Sequence, residues 1–317
     1  MIEPFDPAHM PGGAVLLTCS SHEERCLVIP SRWGRFRPSK VVLFHYDDPN
    51  PRREDNHSYL RAYYSNTSIL EEVSFTEGDA VGSFRRNHEL LRSVLCEAVE
   101  LPIILDISTF TKRHLLMTLQ WLDDSGLWPN LYIVYSEPEE YIATPFIPLS
   151  FGVSRVEEIP GFAAAPDASR PLHVVLFLGY EGDRALATYE ILQPMKTTLV
   201  VPEPPFQEHW RGRTEELNQE LVSVLGTGAI RNAHSLDPEG AFSLLVDVLG
   251  EPGKRGEYAR AICPLGTKPQ AVGAYLYSRV TVDPPALIYT GPLRHNHSYF
   301  SRGIGRSWVI YRPALQR

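Results

Sequence analysis

Four short stretches of the chain hold the residue types that could grip a negatively charged ligand or move a proton on it. Ser20-Ser21-His22-Glu23-Glu24-Arg25 and Gly179-Tyr180-Glu181-Gly182-Asp183-Arg184 each set an acid immediately before an arginine. Asp106-Ile107-Ser108-Thr109-Phe110-Thr111-Lys112-Arg113 and Cys263-Pro264-Leu265-Gly266-Thr267-Lys268-Pro269 share a Thr-Lys step. A lysine in the first turn of a helix faces the positive end of the helix dipole, so Lys112 and Lys268 call for a nearby anion. Gly266 permits close backbone approach, Thr267 can cap a helix or donate its hydroxyl, and Pro269 suits the first helical position. Together these residues read as a phosphate or carboxylate pocket. The first-half loop offers the hydroxyls of Ser108, Thr109 and Thr111 but no glycine, and is the less open of the two. The competing reading has each lysine reaching water or pairing with Glu23, Glu24, Glu181 or Asp183. Those four carboxylates are also the candidates for acid or base catalysis. Helix capping is the simpler role for Glu24 and Asp183, whereas Arg25 and Arg184 are harder to explain without an anion.

The elements that must position these loops are short apolar runs followed by stretches of helical periodicity. Strands are expected near 14–19, 40–46, 102–106 and 131–135, and again near 173–178, 197–202, 259–263 and 286–290. Helices are expected near 83–99, 112–124, 182–193, 213–225, 238–250 and 268–279, with Leu115, Leu116, Leu119 and Leu122 along one face. This alternation predicts an α/β fold, and strands apolar on both faces predict mainly parallel sheets covered by helices. The ligand crevice of such a sheet lies beyond the carboxyl ends of its strands, where all four loops fall. The segment 159–171 holds three prolines and no periodicity, so the expected organisation is two tandem Rossmann-like lobes, 1–158 and 172–317, joined by a linker. Arg25 lies 87 positions before Lys112 and Arg184 lies 84 before Lys268, and a strand ending in tyrosine (Tyr135, Tyr289) follows each lysine. Charged residues in step favour an internal duplication.

Asp106-Ile-Ser-Thr-Phe-Thr-Lys112 and Gly266-Thr-Lys-Pro-Gln-Ala-Val-Gly-Ala-Tyr-Leu276 resemble the strand-to-helix signature of CARF domains. CARF domains are Rossmann-like sensors of cyclic oligonucleotides in prokaryotic antiviral defence; SAVED domains, built as two fused units, are similar in layout. The resemblance implies a nucleotide, or another phosphorylated ligand, held in a cleft between the lobes. Ser20, Ser21, Thr111, Lys112 and Tyr180 would line it with Thr267 and Lys268, and Arg25, Ser108, Arg184 and Gly266 complete the candidate set. The first motif departs from the family at Thr109-Phe110, where glycines are usual. No nuclease, protease or winged-helix module is expected in the 317 residues, so the resemblance implies a separate effector protein. Because some CARF-like proteins cleave the nucleotide they bind without metal, it equally implies an alternative, a metal-independent nucleotide-hydrolysing or transferring enzyme. A third reading is a protein-interaction scaffold, given 15 tyrosines and 5 tryptophans.

A net charge of −8 and a sequence pI near 5.8 argue against direct binding to duplex nucleic acid. No apolar run reaches the ~20 residues of a spanning helix, and the amino terminus lacks the basic start of a secretion signal. The expected compartment is the cytoplasm, with Cys19, Cys26, Cys96 and Cys263 reduced. Gly-x-Gly-x-x-Gly, Walker, Gly-x-Ser-x-Gly and His-Glu-x-x-His patterns are missing, and no cofactor is expected. The tetrapeptide Asn-His-Ser-Tyr occurs at 56–59 and 296–299 and reads as two polar loops; His295 and His297 could line an anion or base contact. Gly303-Ile304-Gly305 reads as a turn into a final apolar strand at 308–311.

Overall fold

The structure, a computed structural model, describes residues 2–34, 36–47, 50–96, 100–142, 148–164, 167, 169–296 and 301–311. The chain forms two α/β units, one from Met1–Tyr141 with Ser301–Arg317 and one from Ile142–Phe300. Among the described residues no helix is long and apolar enough to cross a membrane.

In the first unit, β2 (Val15–Cys19), β3 (Lys40–Tyr46), β4 (Ile69–Phe75), β5 (Ile103–Asp106) and β6 (Leu131–Ser136) form a parallel sheet in the order β4-β3-β2-β5-β6. Strand β15 (Ser307–Tyr311) runs antiparallel beside β6, and β1 (Glu3–Pro4) beside β15. β7 (Glu140–Tyr141) and β14 (Ser301–Arg302) form a separate ladder. All five residues of β2 are buried, as a central strand covered on both faces requires. One face packs Leu16, Val41 and Ile104 against Ile29 and Trp33 of the α1 (Val28–Arg32) region and Leu60 and Tyr64 of α2 (Pro51–Ser65). Helices α3 (Ala80–Arg86) and α4 (His88–Cys96) follow, and α5 (Lys112–Asp124) buries Leu115, Leu116, Leu119 and Leu122 completely. Each such burial contributes about 1.5–3 kcal/mol.

In the second unit, β9 (Leu172–Phe177), β10 (Lys196–Pro202), β11 (Ile230–Ala233), β12 (Ala259–Pro264) and β13 (Ala286–His295) are parallel in the order β11-β10-β9-β12-β13, with β8 (Ser150–Glu158) antiparallel to β13. Its helices are α6 (Gly182–Leu192), α7 (Arg213–Leu217), α8 (Gln219–Leu225), α9 (Pro238–Leu249) and α10 (Lys268–Val280). The two sheets thus share one strand order. The antiparallel edges differ in origin: β8 directly precedes β9 within the second unit, whereas β15, which follows β13, returns to join the first sheet.

Four expectations need correction. Residues 159–171 do not separate the units, because Ile159 and Phe162 are buried and exchange backbone hydrogen bonds with Leu287 of β13 (2.8 and 3.1 Å) inside the second unit. Positions 165, 166 and 168 of that segment lie outside the described residues. Residues 307–311 belong to the first unit rather than to a 172–317 lobe, since β15 pairs with β6 and buries Val309 and Ile310. The first Asn-His-Ser-Tyr copy is not a loop but part of α2, whose few apolar residues give no helical signal; Asn50 caps it through the Arg53 N–H (3.1 Å). The helices expected at 83–99 and 213–225 break at Asn87 and Asn218, and residues 97–99 lie outside the described residues.

Candidate functional site

In each sheet the chain moves outward from the central strand and then returns to its other side, so the switch points fall between β2 and β5 and between β9 and β12. The four motif loops leave the carboxyl ends of those strands.

The first unit fills its switch point with its own polar groups. Asp106 accepts the Ser108 hydroxyl (2.5 Å) and N–H (3.0 Å) and the Thr18 hydroxyl (3.3 Å). Burial pushes this carboxyl above its ordinary range, against the pull of the Ser108 and Thr18 hydrogen bonds. Ser108 also accepts the Ser136 N–H (2.8 Å), and the Thr109 hydroxyl donates to the Cys19 carbonyl (2.5 Å), tying the two loops together. Thr111 caps α5 through the His114 N–H (3.4 Å), and its own N–H donates to the Tyr46 hydroxyl (2.9 Å). Lys112 is half-buried at the first position of α5.

Arg25 and Arg184 are structural clamps of one design. Arg25 is fully buried, pairs with Glu23 (2.5 Å), lies 5.8 Å from the Tyr135 ring centroid and donates to the Ser136 carbonyl (3.1 Å). Arg184 pairs with Glu181 (2.6 Å), lies 5.9 Å from the Tyr289 ring centroid and donates to the Thr290 carbonyl. Burial alone would push both guanidiniums down, but the paired glutamate and the neighbouring tyrosine outweigh it and raise them. The partner is not the acid next to each arginine. Glu24 instead pairs with Arg52 and accepts the Gly303 N–H (2.9 Å), and Asp183 is an exposed first-turn residue of α6.

In the second unit the two loops touch through glycines. A Cβ on Gly179 would lie 2.5 Å from the Leu265 carbonyl oxygen, and one on Gly266 would lie 2.3 Å from the Gln270 side chain and 3.2 Å from the Leu178 carbonyl oxygen. The close approach expected of Gly266 is therefore made to its own unit. Thr267 and Gln270 form a reciprocal capping box, and the Thr267 hydroxyl donates to the Ser235 carbonyl (2.6 Å). Lys268 opens α10 half-buried, with Pro269 beside it. Asn218 donates to the Gly179 carbonyl (2.8 Å), and Arg213 sits 5.1 Å from the ring centroid of the half-exposed Tyr180. Two nearly inaccessible polar atoms flank these loops without a hydrogen-bond partner among the described residues: Ser235 Oγ and Asn218 Oδ1, on residues 1% and 2% exposed.

Ser20 and Ser21 follow β2. Ser21 accepts the Glu23 N–H (3.3 Å), and the Ser20 hydroxyl lies 3.2 Å from His57 Nδ1 on α2. Sequence reasoning missed this helix and with it the His57 contact. Of the second tetrapeptide, His297, Ser298 and Tyr299 lie outside the described residues, so the His295/His297 pair does too. Gly303–Gly305 forms the turn into β15. Among the described residues no group of three His, Cys, Asp or Glu could hold a metal ion. Cys19, Cys26 and Cys263 are buried free thiols and Cys96 an exposed one. No protein-family model matches the chain, and no curated protein matches it.

Proposed function

We infer that the protein is a nucleotide-binding sensor or regulatory component of a prokaryotic defence-type system, similar in design to the CARF and SAVED proteins. Its ligand site is the carboxyl-edge crevice of the second unit. The observation that carries this reading is the start of α10: a half-buried lysine on a capped helix N-terminus, flanked by the unsatisfied Ser235 hydroxyl and Asn218 carbonyl oxygen. A bound phosphate would meet Lys268 and the positive end of the helix, and a base would lie against Tyr180 beside Arg213. The first unit spends its corresponding groups on internal hydrogen bonds, which favours one occupied site rather than two. The repeated strand order and the repeated Arg-Glu-Tyr clamp support descent from a duplicated unit. Reduced thiols suit the cytoplasm, and the output passes to a separate effector protein.

A thermal-shift screen against ATP, ADP-ribose, NAD and cyclic oligoadenylates tests this, with mass spectrometry of each mixture. A ligand at 100 times its dissociation constant adds about 2.7 kcal/mol. The expected result is a shift with one of these nucleotides, intact afterwards, that is lost in Lys268→Ala. The absence of any shift across the panel would overturn the sensor reading, and a consumed ligand would replace it with an enzyme.

A further inference from the structure

Three side chains of the first unit form a hydrogen-bonded line that the nucleotide reading does not use. Ser20 is the first residue beyond β2, at the switch point of the sheet. Its hydroxyl lies 3.2 Å from His57 Nδ1, and His57 Nε2 lies 3.0 Å from Glu72 Oε2 on β4. The other oxygen of Glu72 accepts from Arg61 Nε (2.9 Å), which fixes the carboxylate plane. His57 is further held by the His45 ring, 4.4 Å away. One tautomer satisfies every contact on the imidazole: Nε2–H donates to Glu72, and Nδ1 is left to accept the serine proton. That is the order nucleophile, base, orienting acid.

We propose that Ser20 is the nucleophile of an acyl-transfer site, with His57 as its general base and Glu72 as the group that orients the base. In the step, the Ser20 proton passes to His57 Nδ1 as Oγ bonds the acyl carbon. The ester C–O bond then breaks, and the leaving alkoxide takes the proton from Nδ1. Water, deprotonated by His57, attacks the acyl carbon, the bond to Ser20 Oγ breaks, and the proton returns to Ser20. Among the described residues the partners of the Ser20 hydroxyl are the Phe44 carbonyl (3.3 Å) and His57, with no ammonium or guanidinium among them, which suits a neutral carboxylic ester better than a phosphate. Ser20 is fully covered, and part of its cover is the first half of α2, latched to the adjoining loop by Asn56 donating to the Ser21 carbonyl (2.8 Å). A substrate reaches Ser20 once that latch opens.

The test is labelling of the intact protein with a fluorophosphonate at pH 8, read by peptide mass spectrometry. The expected result is an adduct on Ser20 that forms faster in Asn56→Ala. His57→Gln should slow it by about 10²-fold or more, the ordinary contribution of a general base. Glu72→Gln should slow it less. No Ser20 adduct in either the wild type or Asn56→Ala would overturn the proposal, as would labelling of His57→Gln at the wild-type rate. The reading concerns the first unit alone, so its failure leaves the nucleotide site of the second unit untouched, and a failed nucleotide screen leaves Ser20 labelling to be read on its own.

Discussion

His114 is a fully buried imidazole whose Nδ1 lies 2.8 Å from the Thr111 hydroxyl, while Nε2 has no hydrogen-bond partner among the described residues. It stacks on Phe75 with centroids 4.3 Å apart and meets Tyr46 edge-on. Burial, with Arg113 adding to it, pushes its pKa from 6.5 down to about 3. The folded state therefore holds a neutral ring where the unfolded chain would bind a proton. The stability this contributes is fully present above pH 6.5 and is lost as pH falls toward 3, at about 1.4 kcal/mol per pH unit. Asp106, with its carboxyl raised by burial, acts in the opposite sense, so the two must be separated by mutation. His114→Gln copies Gln270, which occupies the same place three residues after the capping threonine of α10. Urea denaturation at a series of pH values should show a flatter acid limb for this variant than for the wild type. An unchanged slope would mean that His114 takes up its proton within the fold. At this scale the sequence made the Thr-Lys loops legible, because helix caps are local. It did not reveal which glutamate each arginine takes, since the local turn brings Glu23 and Glu181, two and three residues before their arginines, into reach and not the adjacent acid.

At the scale of elements, the arginine clamps fasten the turn after the central strand to the strand two places away, from Arg25 to the last residue of β6 and from Arg184 to Thr290 within β13. Removing one partner leaves the other charge buried and unpaired, at a cost of about 3–5 kcal/mol. Arg25→Met should lose stability on that order in urea denaturation, and adding Glu23→Gln to it should restore part of the loss. A double variant no better than the single one would show that the tyrosine and carbonyl contacts, not the ion pair, carry the clamp. Strands that are apolar at all but one position, such as β2 and β9, were legible from composition, as was the amphipathic face of α5. Elements that make their case only in context were not. β4 carries two glutamates and an exposed Ile69, β11 is a four-residue edge, and α2 presents polar groups over most of its surface.

For the whole molecule, α/β class and mainly parallel sheets followed from alternation, but the division of the chain did not. A proline-rich stretch marks a break in periodicity, and here Ile159 and Phe162 turn that stretch into part of a core. The antiparallel edge of the first sheet comes from beyond the second unit, so a cut after residue 306 removes a strand from the first unit and none from the second. That truncation also removes the Trp308 donor to Glu137 (2.7 Å) and the Tyr311 acceptor for Trp128 (2.6 Å). Calorimetry of the shortened chain should show the transition of the first unit lowered and that of the second unchanged. A uniform drop would mean that the two units melt as one.

The late edge strand also sets an order of events on the ribosome. Strand β6 ends at Ser136, and its antiparallel neighbour begins at Ser307, after every strand of the second sheet. At the usual 5–20 residues per second, the first sheet waits roughly ten to thirty seconds with that edge bare while the later unit is made and can close. The part of the protein synthesised first is thus the part completed last, and any holdase that shields nascent strand edges has its longest task at β6.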